Sequence, residues 1–204
     1  MGYYIKPSET DTPLTPAPGA AADVARWREQ LEHGSAYERR AALRQLIASG
    51  AEEALVQCLA SANSALVQLA VTGLWECWSN EAGAEARQEL DAGTEAMNDG
   101  DLTTAFKTFV RLMDRFPAWA EAVNKLATVL YLQNRPEASI ELCRQVVALK
   151  PDHFGAWNGL ALCAVQIEDW LLARRAVRES LRLQPHSSAN RQLLHLVESR
   201  LPPA

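Results

Sequence analysis

The side chains able to do chemistry are scattered along this sequence. Cys58, Cys77, Cys143 and Cys163 form no C-x-x-C pair and sit inside apolar helical runs, where a small buried thiol is common. They are expected to be reduced core residues, which places the chain in a reducing, intracellular compartment. His195 and Glu198 are three apart and share a helix face. Two ligands without a third make a poor metal site, and surface pairing accounts for them as well. His33, His153 and His186 fall at helix ends, positions suited to capping or to solvent. There is no phosphate-cradling glycine loop, no G-x-S-x-G, no H-E-x-x-H and no cysteine with a base at motif spacing. The expectation is a protein that is not an enzyme, with no cofactor and no metal.

Charge gives a second constraint. Arg174, Arg175, Arg178 and Arg182 belong to one amphipathic stretch. They make either a basic strip for an acidic partner, lipid or RNA, or a solvated face balanced by Glu168, Asp169 and Glu179. A net charge of −5 argues against a partner held mainly through phosphates, which needs a clustered positive surface, so no nucleic acid is expected. Trp75, Trp78, Trp119, Trp157 and Trp170 fall on helical faces or at hairpin junctions and read as packing rather than as an aromatic ligand cage.

The elements that position these residues are helical. With 204 residues, 48% apolar, the chain can bury a sizeable core, and its heavy use of Ala, Leu, Glu, Gln and Arg favours helix over strand. The expected class is all-α. No stretch reaches the length of a transmembrane span, and the first thirty residues lack the apolar run of a signal peptide, so a soluble protein is expected. Residues 1–22 hold Pro7, Pro13, Pro16 and Pro18 and read as an extended Pro-rich tail whose Tyr3, Tyr4 and Ile5 are apolar enough to dock on something. The same residues contain Glu9 and Asp11 and no Arg, so any organelle transit peptide is expected to have been removed already.

Residues 23–34, 36–49, 51–60 and 64–79 read as four short helices, separated by Gly34-Ser35, Gly50 and Asn63-Ser64. The run from Asn63 to Ala70 resembles the second helix of a HEAT or armadillo repeat, with Gln68 where that motif carries a basic residue. Residues 23–82 are therefore expected to form a HEAT-like helical extension.

Residues 83–201 are organised differently. Pro117, Pro151 and Pro185 stand 34 residues apart and superpose three segments, 86–119, 120–153 and 154–187, each with two amphipathic stretches. These segments resemble tetratricopeptide repeats. Small residues stand at repeat position 8 (Gly93, Ala127, Ala161) and position 20 (Ala105, Ser139, Ala173), where the two helices of a hairpin cross closely. Large apolar residues stand at positions 4 and 7 in the second and third copies, whereas the first copy departs with Glu89 and Ala92. Asp101 and Asp169 suit N-caps, and Pro136 suits a helix start. Residues 188–200, with Leu193, Leu194, Leu196 and Val197, read as the capping helix that an open-ended solenoid needs. The implied architecture is a right-handed α-α superhelix of helical hairpins.

The resemblance also implies a use. In this family the first helices line a concave groove that holds a partner, which here would present Arg87, Leu90, Thr94 and Asn98, then Asn124, Thr128 and Tyr131, then Asn158, Leu162 and Gln166. Asn124 and Asn158 recur at one position, as would suit amides pairing with a peptide backbone. Chaperone-binding members clamp a C-terminal carboxylate with Lys, Asn and Arg. The matching positions here are Leu90, Thr94, Lys125, Gly155 and Gly159, so a tail of the Hsp70 or Hsp90 type is not expected. The expected role is a protein–protein interaction scaffold, an assembly factor or adaptor. The alternative is a permanent accessory subunit of a large complex, docked through its tail and convex face. The run from His153 to Cys163, with Asn124 to Tyr131 before it, looks like a group of such proteins in bacteria and photosynthetic eukaryotes, whose plastid members are linked to photosynthetic complexes. That resemblance allows the cytoplasm or an organelle such as the chloroplast stroma.

Overall fold

The computed structural model describes residues 20–202, which form eleven α-helices and, among the described residues, no strand. In chain order these are α1 (Ala20–His33), α2 (Ala36–Ala48), α3 (Glu52–Cys58), α4 (Ser64–Asn80), α5 (Ala84–Asn98), α6 (Leu102–Arg115), α7 (Ala120–Leu132), α8 (Pro136–Leu149), α9 (Phe154–Gln166), α10 (Trp170–Leu183) and α11 (Ser188–Ser199). Tyr3, Tyr4, Ile5 and the rest of residues 1–19 lie outside the described residues. Residues 20–22, expected to be extended, are instead the first turn of α1, as three successive alanines favour.

Helices α5 to α10 make three hairpins whose turns follow one design. The second residue after each first helix has a positive φ: Gly100 (83°), Asn134 (58°) and Glu168 (58°). In each turn the next residue's N–H donates to a carbonyl five back: Asp101 to Ala96, Arg135 to Leu130 and Asp169 to Ala164. This is the left-handed helix stop that glycine accepts freely and a glutamate does not, so Glu168 carries strain of about 1–2 kcal/mol. Each second helix then starts as its sequence directs. Asp101 accepts from Thr104 N–H, Asp169 accepts from Leu172 N–H, and Pro136 opens α8.

Close crossings explain the small residues. A Cβ on Gly93 would lie 2.8 Å from Phe109 Cε1, while Ala127 and Ala161 are buried against their own second helices. Ser139 Oγ also donates to the Ala127 carbonyl at 2.8 Å. The departure in the first repeat is resolved by rotation of its apolar face. Glu89 turns outward to pair with Arg111 and Arg115 of α6, and Leu90 takes the core position in its place. At the far end, α11 covers the last hairpin with Val197, fully buried, and with Leu193 and Leu194.

Helices α1 to α4 pack around Leu31, Leu46, Leu55, Leu59, Leu74 and Trp78, in a core that continues into the repeats through Phe154 and Leu183. Ser35 and Glu38 form a capping box at the start of α2, and Asn63 caps α4. A Cβ on Gly73 would meet Leu43 Cδ1 at 2.8 Å and Leu55 Cδ1 at 2.9 Å, so this glycine lets α4 approach α2 and α3. The link to the repeats is short, and Gly83 in it has a φ of 87°.

Candidate partner-binding groove

The first helices of the three hairpins stand side by side, α7 lying against both α5 and α9. Their inner surface divides along its length. At the N-terminal ends of α7 and α9 it is buried under α4; at the C-terminal ends it is open to solvent.

The closed end centres on two fully buried titratable side chains, Glu121 and His153. Ala156 N–H donates to His153 Nδ1 at 3.1 Å, capping α9, so Nδ1 is the acceptor nitrogen and the ring proton stands on Nε2. Nε2 then donates to Glu121 Oε2, 3.1 Å away, which also accepts from Asn124 Nδ2 at 3.1 Å. Glu121 Oε1 has no hydrogen-bond partner; the nearest cation is Lys125 Nζ at 3.4 Å. Two tryptophans of α4 roof this cluster. Trp78 stacks on the His153 ring at 4.2 Å, and Trp75 meets His153, Phe154 and Trp78 edge-on. Trp119 Nε1–H donates to the Trp78 carbonyl at 2.6 Å. Glu52 accepts from Trp78 Nε1–H at 2.8 Å and from Lys150 Nζ at 2.9 Å, while Glu81 pairs with the same lysine. Burial works against the Lys150 charge, but Glu81 and Glu52 outweigh it and raise its pKa.

The residues expected to line the groove divide accordingly. Leu90 is in the core, for the rotational reason given above, and Asn124 is buried against Glu121. Arg87 is occupied by Glu76 of α4 at 2.9 Å and by Asp91 at 2.8 Å. The two recurring asparagines do different things. Asn124 serves the buried carboxylate, whereas Asn158 Oδ1 accepts from Ser180 Oγ, which in turn accepts from Asn190 Nδ2 of α11. Thr94 and Thr128 are half-buried and donate to carbonyls of their own helices. Asn98, Tyr131, Leu162 and Gln166 remain at the open end, with Leu132 49% and Leu162 43% exposed. Gln166 reaches the side chain of Asn134, tying neighbouring turns together.

Other sequence candidates resolve into surface chemistry. Arg178 pairs with Glu198 at 3.1 Å, so Glu198 is not a partner of His195; Arg182 pairs with Glu179 and Asp152. Part of the arginine strip is thus a balanced face. Among the described residues no three His, Cys, Asp or Glu side chains are placed to share a metal ion, and no helix is long and apolar enough to cross a membrane. All four cysteines are free and buried, and burial pushes the thiols of Cys58 and Cys77 up to about 11 and that of Cys143 up to about 12. Such thiols are poor nucleophiles at neutral pH.

Residues 90–154 match the model of the tetratricopeptide repeat family. This segment is a tetratricopeptide repeat region. No curated protein sequence matches the chain. Among solved structures it is similar to the Sgt2 tetratricopeptide domain from Aspergillus fumigatus, at 18% identity and a TM-score of 0.54 over 59% of this chain and 86% of that one. It is also similar to the first such domain of Spaghetti (RPAP3) bound to the HSP90 peptide SRMEEVD, at 16% identity and 0.55 over 56% and 90%. The MamA protein aligns over 88% of this chain and 83% of its own, at 13% identity and 0.54. At these identities the likeness concerns the fold alone.

Within this tetratricopeptide array the carboxylate-clamp positions are filled by other things. Leu90 is core, Lys125 is committed to Glu121 and lies over the Trp75 ring at 5.7 Å, and Gly155 faces Trp75. By sequence, Trp75 and Trp78 read as packing residues and His153 as a helix-end residue suited to capping or solvent, with none of the three tied to Glu121. Nothing in one-dimensional spacing marks the four as one cluster, because α4 comes to the repeats through tertiary packing.

Proposed function

We propose that this protein is a non-enzymatic interaction scaffold that holds a segment of a partner protein along the open end of the repeat groove. The observation that carries this reading is the strip of exposed Asn98, Leu132, Leu162 and Gln166 with half-buried Tyr131, which offers amides, a phenol and two leucines without a dominant charge. Exposed leucines beside hydrogen-bonding groups suit a peptide whose backbone pairs with amides while an apolar side chain is covered. The uncharged strip and the missing clamp argue against an acidic C-terminal tail such as the HSP90 peptide held by the RPAP3 domain. Titration of the peptide SRMEEVD is expected to give no saturable binding. For the natural partner, Leu162→Asp with Leu132→Asp is expected to abolish recovery of a cross-linked partner while leaving the helical circular dichroism unchanged. Undiminished recovery would rule the strip out.

A second reading, a permanent subunit docked through its convex side, draws on Leu149, Leu171 and Leu196, exposed at 44%, 58% and 41% on second helices and the cap. Leu171→Asp would release such a subunit from a large particle on a sizing column, whereas the groove reading predicts no change. Under either reading the buried, unreactive thiols suit a reducing compartment, whether cytoplasm or an organelle such as the chloroplast stroma.

A further inference from the structure

Helix α11 keeps the register of the first helices, although no second helix follows it among the described residues. Ala122, Leu126 and Val129 of α7 are buried, as are Ala156, Leu160 and Cys163 of α9, each one repeat length further on. The same step again reaches Asn190, Leu194 and Val197 of α11, of which the first and last are buried and Leu194 half-buried. The side that a second helix would cover is different. Where α9 puts Trp157, Ala161 and Ala164 into the core it shares with α10, α11 carries Arg191, His195 and Glu198, all exposed. Helix α11 is thus the first helix of a half-repeat whose outer side has been made polar, as the end of a solenoid requires.

Polar contacts hold it in that register. Asn190 Nδ2 donates to Ser180 Oγ at 2.8 Å, and Ser180 Oγ donates to Asn158 Oδ1 at 2.6 Å, so a residue of α10 ties α11 to α9. Ser180 and Asn190 are buried, where a satisfied polar chain fixes position as well as adding energy. Further along, the Arg200 guanidinium lies 5.7 Å over the Trp170 ring.

One side chain of α11 serves neither the core nor the polar side. Leu196 is 41% exposed and stands apart from the core that takes in Leu193, Leu194, Val197 and Leu201. The repeat step places it in line with Leu162 of α9, 43% exposed, and with half-buried Thr128 of α7. It belongs with these first-helix positions, whereas Leu149 and Leu171 lie on the second helices α8 and α10. A single exposed leucine is ordinary, but two at one repeat position on successive first helices make a row. Helix α9 contains no charged residue, and Lys125 of α7 is already paired with Glu121. A charged side chain laid on this row would lose water without gaining a counter-charge.

We propose that the groove continues past α9 onto α11, and that Leu162 and Leu196 form one subsite for two apolar side chains of an uncharged segment of a partner protein. This rests on the groove being the binding face.

Photo-cross-linking with the full chain in its native cells tests it, with the reactive group at Leu162 in one protein and at Leu196 in another. Both positions are expected to label neighbouring residues of one partner segment. With the group at Leu162, Leu196→Asp is expected to lower the yield roughly tenfold or more, as loss of a buried leucine contact would. His195→Asp, on the polar side of the same helix, should leave the yield unchanged. Both side chains face water, so helical circular dichroism should hold in both variants. Should Leu196→Asp lower it, the labels from the two positions alone decide. Labels from Leu196 on a different segment, or a yield that a folded Leu196→Asp leaves unchanged, would overturn the inference while the groove reading stands. An equal fall with His195→Asp would report a damaged cap and would overturn it too. No label from Leu162 in the otherwise wild-type chain would sink the groove reading and this inference together.

Discussion

The two ends of the inner face are made by the same helices, yet they differ in kind. At the N-terminal ends of α7 and α9, Glu121, Asn124 and His153 are buried and bonded to one another; at the C-terminal ends, Leu132, Leu162 and Gln166 face solvent. Equivalent repeat positions therefore carry different roles depending on what packs on them. Asn124 and Asn158 make the point most sharply, one serving a buried carboxylate and the other a chain of polar contacts to the capping helix.

Breaking the closed end should cost most. Trp78→Ala removes a fully buried indole that stacks on His153 and whose Nε1–H bonds Glu52, and it should lower stability by about 3–5 kcal/mol in chemical denaturation. Glu121→Ala strands the His153 Nε2–H and the Asn124 amide in a buried site and should cost about 2–3 kcal/mol, with Glu121→Gln losing less because it keeps an acceptor. Away from both ends, Glu168→Gly relieves a left-handed glutamate and should stabilise by roughly 1 kcal/mol, read as a raised melting temperature. At the open end, Leu162→Asp should move stability by less than about 0.5 kcal/mol, since the side chain already faces water. A large loss there would mean that the strip is core, and the contrast between the ends would fail.

Much of the fold can be read from local sequence because the repeat writes its rules into each copy. The prolines at the ends of second helices, the aspartate caps and the small residues at the crossings all act within one hairpin, where sequence distance and spatial distance agree. The departure at Glu89 and Ala92 was visible too, but not its consequence, because only packing shows that Leu90 rotates inward to replace them. Less of the site could be read. Family positions put Leu90, Asn124 and Asn158 in the groove without any account of α4, which comes from outside the repeats. The buried pair escaped for a physical reason: a glutamate and a histidine ordinarily signal solvent, and only the opposing contacts of Trp75, Trp78 and Asn124 turn them into an interior network.

The contrast between the ends is tested most directly by site-specific photo-cross-linking in the native protein, with the reactive group placed in turn at Leu162, at Leu171 and at Tyr37. Leu162 should cross-link to one continuous segment of a partner, while Leu171 on a second helix and Tyr37, 78% exposed on α2, should give none. Cross-links from Leu171 with none from Leu162 would contradict a groove open at that end and place the partner on the convex side.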